Sequence, residues 1–327
     1  MGAVLAEIGK KLAERWLTLL LLPGALYLAT VATAVTLGHG RALDLAYLVE
    51  RASTWAGHPT TTTPAGQVLV MGAVLAAAGA AGLAGQGLGS VVERVWLASE
   101  WYAWPEPARW VAARMVARRA RRWRSASDHW RGTREEAARA RARGERVDPT
   151  KRYAARARML RIAAAEPTRP TWCGDRLNAA TLHLEHGFGI DVAVVWPHLW
   201  LLLPGDARDE VIAAREALAR STTLTAWSLL SLPLTALWWP AALVSLVLAW
   251  AGHRGTRFAC DAYATVLEAV IRLHITDLAR RTGVVESGVF DADTGYELTR
   301  LLRGETSPTV LPSEANTGTN PGAAGDS

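Results

Sequence analysis

Lysine and cysteine are scarce in this sequence. Lysine occurs only at Lys10, Lys11 and Lys151, so arginine carries nearly all of the positive charge of a 327-residue chain whose net charge is +6 at pH 7. The two cysteines, Cys173 and Cys260, are too few for a disulfide framework. This excludes the small secreted domains that disulfides hold together, and reduced thiols are the default expectation.

The sequence also lacks the motifs of the common nucleotide-binding and hydrolytic enzymes. It contains no P-loop, no dinucleotide-binding fingerprint and no G-x-S-x-G. His183 and His186 are three residues apart, so a helix would present both to a metal ion, and Cys173 lies upstream. Zinc sites usually have more closely paired ligands, which makes these three residues weak candidates. We therefore predict no catalytic residue, no metal and no cofactor.

Charged side chains are absent from three long stretches, 16–37, 67–92 and 222–252. As helices, the first two are long enough to cross about 30 Å of hydrocarbon. A cleaved secretory signal is the alternative for 16–37, because Ala32-Thr33-Ala34 resembles a cleavage site. The length of that stretch and the presence of a second favour a membrane span. The pattern predicts a mainly all-α membrane protein, and charge-free spans argue against an ion-coupled transporter.

The third charge-free stretch, 222–252, has Trp238-Trp239-Pro240 in its middle. A single span would carry the arginines that follow, beginning with Arg254 and Arg257, away from the basic region that precedes the stretch. That arrangement opposes the rule that positively charged loops stay in the cytoplasm. We predict two short spans, 222–239 and 240–252, and a re-entrant hairpin is the alternative.

These features predict a protein that crosses the cell membrane four times and has both termini in the cytoplasm. The predicted order is an amphipathic helix (1–15), a first span (16–37), an extracytoplasmic loop (38–66), a second span (67–92), a basic cytoplasmic module (93–221), two short spans (222–239 and 240–252), a cytoplasmic helical segment (253–304) and a disordered tail (305–327). Within the module, Asp206 is a suitable N-cap for a helix that leads to the third span.

Small residues dominate the second predicted span. Gly82, Gly85 and Gly89 recur at helical spacing and leave room for another helix to approach closely. Packing within one chain is the simpler interpretation, and a contact between copies of the chain is the alternative. Aromatic residues that suit the membrane–water interface flank the spans: Trp16, Trp96, Trp101, Trp104, Trp238 and Trp239.

The segment 93–170 holds twenty Arg or Lys residues and fewer than half as many acidic ones. Its most basic run is predicted to be helical and to meet anionic lipid head groups. Nucleic acid is a less favoured partner, because no recognisable nucleic-acid fold surrounds the run. The arginines assigned to lipid head groups are Arg114, Arg118, Arg121, Arg122 and Arg124.

A further stretch carries the order P-T-x-x-G-[ND], then G-[IL]-D, then W-P-x-L-W-x-L-L-P. This order resembles a family of bacterial membrane proteins that is common in actinobacteria and has no known activity. The resemblance covers about 165–283 and implies no catalytic residue. Within it, 191–204 is too short to span a bilayer and lies either in the core or at the membrane surface, with a strand over 190–195 as an alternative. The signature residues are Pro170, Gly174, Asp175, Asp191, Trp196, Pro197, Trp200 and Pro204.

The size of the cytoplasmic part and the uncharged spans favour a membrane-anchored interaction or signalling module. An oligomeric channel or membrane-permeabilising effector is the alternative, based on the glycine-rich second span and the short hairpin. A membrane-associated metal-dependent enzyme is a remote third. The expected partners are the bilayer and its anionic head groups, a second copy of the chain, and a cytoplasmic protein that the sequence does not identify.

Overall fold

The computed structural model describes residues 21–57, 63–146, 148–285 and 290–305, which form helices and no β-strand. This confirms the all-α prediction. The ten α-helices are α1 (Leu22–Leu37), α2 (Leu45–Ala56), α3 (Pro64–Leu97), α4 (Glu106–Ala142), α5 (Thr150–Ile162), α6 (Trp172–Phe188), α7 (Val192–Leu202), α8 (Gly205–Ser231), α9 (Pro240–Arg281) and α10 (Ala292–Leu302). Two short 3-10 helices occupy Trp101–Ala103 and Leu232–Ala236.

Several sequence predictions lie outside the described residues. These are the amphipathic helix 1–15, Trp16 with the first part of the first span, and the tail beyond Glu305. The strand considered for 190–195 is wrong. Asp191 instead caps helix α7 by accepting a hydrogen bond from the Ala193 amide at 3.0 Å, so the chain becomes helical at that point.

The charge-free stretch 222–252 does not form two separate short helices. Its first arm is the end of α8, which begins at Gly205, and its second arm is the start of α9, which continues to Arg281. The predicted N-cap at Asp206 is wrong, since α8 begins after Pro204 without a side-chain cap and Asp206 lies in its first turn. Pro233, which lacks the N–H group needed to continue the α-helix, lies near the start of the 3-10 segment where α8 ends.

The predicted loop 38–66 contains a helix that the sequence analysis missed. Helix α2 is capped by Asp44, whose carboxylate accepts a hydrogen bond from the Tyr47 amide at 3.0 Å. None of its side chains is buried, and Leu45, Val49 and Trp55 are exposed. An amphipathic helix of this length shows only a weak signal among turn-forming residues.

The chain divides into two compact units. Unit one comprises 1–181 and 204–270, and unit two comprises 182–203 and 271–327. Unit one contains helices α1 to α5 and α8, and helices α6 and α9 each contribute to both units. Among the described residues, one helix, Pro64–Leu97, is long and apolar enough to cross a membrane.

Candidate membrane-interface site

The burial pattern of α1, α3, α8 and the first part of α9 is inverted relative to a water-soluble bundle. In the charge-free parts of these helices most buried positions are small or hydroxyl-bearing, with Leu37 and Val92 as the exceptions, whereas most large aliphatic side chains are exposed. Only 17% of the most apolar window of α3 is buried. The buried residues include Ala34, Ala78, Gly82, Thr222, Ala226, Ser228, Ala241 and Ser245, and the exposed ones include Leu26, Val35, Leu69, Met71, Val74, Leu229, Leu243, Leu246 and Val247.

Unit two shows the ordinary pattern and serves as an internal comparison. Its fully buried side chains are large and apolar, and they include Leu184, Val195, Leu199, Ile271 and Ile275. Each large apolar side chain left in water forgoes roughly 1.5–3 kcal/mol of burial free energy. The inverted segments of unit one would therefore be unfavourable in water, although the same chain builds a conventional core elsewhere.

Close helix packing in unit one depends on glycine. A Cβ atom added to Gly85 would lie 2.5 Å from the Trp227 ring of α8, and one added to Gly89 would lie 2.9 Å from the Thr223 hydroxyl. A Cβ on Gly24 of α1 would overlap the Ala78 carbonyl, next to Gly82. The three glycines singled out in the sequence therefore face other helices of the same chain.

The α8–α9 hairpin is held together by the same kind of contact. Ser228 donates a hydrogen bond to the Ser245 carbonyl at 2.8 Å, and a Cβ on Gly252 would lie 2.5 Å from the Thr225 hydroxyl. At the tip, the Trp238 indole donates to the Ala42 carbonyl at 2.8 Å. The tip of the hairpin therefore lies at the same end as the loop that follows α1.

Charge begins at one level on three helices. Glu93 is the first charged residue of α3 after the apolar stretch, Arg220 is the last of α8 before it, and Arg254 is the first of α9. Glu93 forms an ion pair with Arg215, and the hydrogen bond that Arg215 donates to Glu93 is the main cause that raises the pKa of Arg215. Trp96 and His253 stack with their ring centroids 5.3 Å apart, so the charged ends of α3, α8 and α9 lie side by side.

The predicted interfacial tryptophans occupy the two ends of the apolar segments. Trp96 lies at the charged end, followed by Trp101 and Trp104, and all three are partly buried. Trp101 stacks on Tyr102 with a centroid distance of 4.4 Å. Trp238 and Trp239 lie at the opposite end, where Trp239 is exposed.

The first part of the signature forms a polar cluster around a buried carboxylate, which we name the Asp175 cluster (Arg119, Thr168, Arg169 and Asp175). Arg119 donates to Asp175 at 2.7 Å, and the Thr168 and Arg169 amides donate to the other carboxylate oxygen at 3.0 and 2.8 Å. Only 5% of the Asp175 side chain is exposed. The cluster joins α4, the loop before α6, and α6 itself.

Other residues of the first signature segment position the start of α6. Thr171 caps it by accepting from the Gly174 amide at 3.0 Å, and donates to the Trp96 carbonyl. A Cβ on Gly174 would lie 2.5 Å from the Leu97 carbonyl, so the end of α3 approaches too closely for any side chain. Pro170 is buried. These contacts give the segment a structural role in unit one.

The second part of the signature organises unit two. Gly189 has φ +65°, where glycine is favoured, and a Cβ there would overlap the Ala292 carbonyl. Asp191 forms an ion pair with Arg303 beyond α10, and its amide donates to the Thr299 hydroxyl at 3.1 Å. The G-I-D segment therefore attaches α10 to α7.

Helix α7 is half-buried. Val195 and Leu199 lie in the core of unit two, Pro197 is exposed, and Trp196 stacks with Trp200 at 5.7 Å between ring centroids. The last signature residue, Pro204, precedes α8 and is exposed. Both interpretations of 191–204 thus have a basis, since one face packs inside and the other presents partly exposed aromatic rings.

Helices α4 and α5 pack against each other as a basic arm, defined as 106–162. Nearly all of their buried residues are small, such as Ala120, Ala137 and Ala155, and most of their arginines are exposed. A cavity of about 330 Å³ near the α4–α5 turn is lined by Arg141, Arg143, Arg146, Lys151 and Arg152 with two acidic residues. All five arginines assigned to lipid head groups are exposed: Arg114, Arg118, Arg121, Arg122 and Arg124.

The weak metal candidates are not gathered into a site. His183 and His186 are exposed on α6, whereas Cys173 is fully buried. Across the described ranges, no group of three or more His, Cys, Asp or Glu side chains is arranged to hold a metal ion. Cys260 donates to the Cys173 carbonyl at 3.4 Å, and hydrogen bonding to Cys173 together with burial raises the pKa of the Cys260 thiol.

A cleft of about 770 Å³ lies between α1, α3 and α8 in unit one. Glu93, Glu216 and Arg220 line one part of it, and Leu224 and Trp227 line another. Two hydroxyl-bearing residues also line the cleft: Thr223 lies between Arg220 and Leu224 on α8, and Ser90 precedes Glu93 on α3. The cleft thus combines charged and apolar walls at the level where charge begins on α3 and α8.

Comparison of the chain with protein-family models, with curated proteins and with solved structures gave no match. The resemblance of the signature to a bacterial membrane-protein family therefore stays a prediction. The sequence analysis missed Arg119, Arg215 and Trp227, which take part in the principal contacts of unit one. Their local sequence does not distinguish them from neighbouring arginines and tryptophans.

Proposed function

We propose that this chain is an integral membrane protein that anchors a cytoplasmic interaction module. The observation that carries the proposal is the inverted burial of α1, α3, α8 and the start of α9. In a bilayer the exposed aliphatic side chains lie in hydrocarbon, and small buried residues allow the close helix packing typical of membrane bundles. A membrane removes the free-energy cost of exposing these apolar side chains to water.

Contacts at both ends of the α8–α9 hairpin support crossing of the membrane rather than re-entry. Helix α1 has 16 described residues and spans about 24 Å. The hairpin tip bonds to Ala42, beyond the end of α1, while the other end of the hairpin lies beside Glu93 at the end of the apolar part of α3. The hairpin thus reaches from the end of the apolar part of α3 to the loop beyond α1, which favours two short spans.

The distribution of charge supports the orientation. The basic arm follows α3, and the arginine-bearing part of α9 follows the return of the hairpin. The positive-inside rule places both in the cytoplasm, together with unit two and both termini. The helix α2 then lies outside, where its exposed Leu45, Val49 and Trp55 suit a position in the membrane interface.

The basic arm is the part that we propose to engage a partner, and anionic lipid head groups are the first such partner. The five assigned arginines are exposed, and each contributes about 1 kcal/mol of attraction near an anionic surface. Because the buried residues of α4 and α5 are mostly small, these arginines lie on the surface, where they can reach anionic head groups.

An environment-sensitive fluorophore on Ser125→Cys in full-length protein tests the role of the arm. The buried native thiols, Cys173 and Cys260, stay unlabelled in the folded chain. In nanodiscs, replacing part of the phosphatidylcholine by phosphatidylglycerol is expected to shift the emission to the blue. High salt reverses the shift because it screens exposed charges.

Glutamine at the five assigned arginines is expected to abolish this shift. The control replaces the same number of arginines elsewhere on the arm (Arg131, Arg134, Arg139, Arg141 and Arg146). An equal loss in the control would assign the effect to net charge. No shift in the unmodified chain would refute lipid engagement by the arm.

The alternative of an oligomeric pore receives less support. Gly85 and Gly89, which motivated it, contact Trp227 and Thr223 of the same chain. No charged residue lies within the described parts of the four proposed spans. A closed ring of copies in nanodiscs with measurable conductance would restore the pore alternative.

A further inference from the structure

The cleft between α1, α3 and α8 has a lining that changes character along the helices. On α8, charged Glu216 and Arg220 are followed by hydroxyl-bearing Thr223 and then by Leu224 and Trp227. Trp227 follows Glu216 by eleven residues, which corresponds to about 16 Å along the helix. The cleft has a volume of about 770 Å³, which falls within the range of small-molecule sites, roughly 300–1,000 Å³.

Helix α3 runs antiparallel to α8, and its lining residues change from Glu93 at the charged end through Ser90 and Gln86 to Gly82. Gly85 lies against Trp227, Gly89 lies against Thr223, and Glu93 pairs with Arg215. The charged part of the cleft therefore lies at the proposed cytoplasmic surface and its apolar part lies within the bilayer. A molecule that fits this gradient has a polar head and an apolar chain.

The charges at the polar end select the head group. Glu93 and Arg215 form one pair, and Arg220 donates to Glu216 at 3.4 Å in a second, so the charges of these four described residues sum to zero. A head group with one positive and one negative charge matches this arrangement, whereas a purely anionic one would face two carboxylates. A quaternary ammonium is usually held by aromatic rings, but the described lining of the charged end has none.

We propose that the cleft binds one phospholipid with a primary-amine head group. The ammonium lies towards Glu216 and Glu93, because a primary ammonium donates hydrogen bonds to carboxylates. The phosphate lies towards Arg220, and an acyl chain follows Leu224 and Trp227. This inference rests on the proposed membrane embedding of unit one.

Native mass spectrometry of the full-length chain in mild detergent tests this site. The protein is delipidated and then offered equal amounts of phosphatidylethanolamine, phosphatidylcholine and phosphatidylglycerol with identical acyl chains. We expect one phosphatidylethanolamine per chain, retained about tenfold more than either competitor. Equal retention of the three lipids, or preference for phosphatidylglycerol, would overturn the proposal.

Two variants locate the bound lipid. Glu216→Gln, at a half-exposed position, is expected to reduce the preference for phosphatidylethanolamine over phosphatidylcholine to about twofold or less. Ser90→Phe fills the cleft and is expected to abolish retention, whereas Val91→Phe, one residue away on an exposed face, leaves retention unchanged. Unchanged retention in both Glu216→Gln and Ser90→Phe would refute the site.

Two further readouts separate the remaining outcomes. A photo-crosslinking residue at position 90 is expected to capture lipid, and capture of another segment of the chain would assign the cleft to that segment instead. Extraction of the protein from membranes by alkaline carbonate would refute the proposed function itself. Retention in the membrane without selective lipid binding would refute only the lipid site.

Discussion

Replacing Asp175 by asparagine tests the contact that joins the basic arm to α6. Both backbone amides, those of Thr168 and Arg169, donate to Oδ1 of Asp175, so an asparagine oxygen can replace that atom. Oδ2, which accepts from Arg119 at 2.7 Å, would become an amide nitrogen facing a guanidinium. The variant therefore removes one ion pair and leaves a buried cation facing a donor.

Breaking a buried ion pair costs about 3–5 kcal/mol. Arg119 is 21% exposed and also donates to the Ile162 carbonyl, which lowers the expected loss to about 2–4 kcal/mol. Denaturant unfolding in detergent micelles, followed by tryptophan fluorescence, measures this loss. Combination with Arg119→Met in a double-mutant cycle isolates the pairwise contribution.

Glu166→Gln supplies a matched control on the same loop. Glu166 pairs with Arg124 at 2.7 Å, but the two side chains are 50% and 61% exposed. Exposed pairs contribute about 0–1 kcal/mol, so the control is expected to unfold almost like the unmodified chain. If Asp175→Asn lost no more stability than Glu166→Gln, the central role of the Asp175 cluster would be refuted.

Three further predictions concern packing and pH. Gly85→Ala is expected to destabilise the protein by about 1–3 kcal/mol because its Cβ would lie against Trp227. Gly72→Ala, which has open space around it, is expected to leave the stability unchanged or to raise it. Thermal aggregation in detergent distinguishes the two variants. Gly189→Ala is expected to speed hydrogen exchange in α10 more than Gly304→Ala does. Both glycines have a positive φ, but only Gly189 faces a backbone carbonyl. Equal effects of the two variants on exchange would contradict this expectation. Burial, and secondarily Asp191, raises the pKa of Glu185, so this group's contribution to stability is lost as pH rises through the raised value. Glu185→Gln should then raise the melting temperature at neutral pH and not below the ordinary glutamate pKa of about 4.3, and a gain only in acid would reverse the assignment.

Charge-free stretches and turn-forming residues in the sequence predicted the helical architecture. The break between α4 and α5 coincides with the turn-forming residues Gly144 and Pro149, and α9 ends two residues before Gly283, which has φ +76°. The absence of charge located the apolar parts of α1, α3, α8 and α9, because a charge-free stretch is visible in the sequence without any knowledge of which helices it contacts. Helix α2 was not predicted, because its twelve residues lie within a predicted loop that is rich in turn-forming residues.

Contacts between distant segments could not be predicted in the same way. Arg119 is one of many arginines on α4, yet it points inward to Asp175 while Arg118 and Arg121 are exposed. The closeness of Leu97 to Gly174, and of Ala292 to Gly189, depends on how separate helices meet. Only the fold turns these residues of the signature from a pattern into a set of structural contacts.

Cysteine accessibility across the membrane tests the central claim most directly. Single substitutions at exposed Ser53 in α2, Ala236 at the hairpin tip and Ser125 in the arm are probed in intact cells with a membrane-impermeant maleimide. The account predicts that Ser53→Cys and Ala236→Cys react before permeabilisation and that Ser125→Cys reacts only afterwards. Reaction of Ala236→Cys only together with Ser125→Cys would contradict a hairpin that crosses the bilayer, and equal reaction of all three before permeabilisation would contradict membrane crossing by the chain.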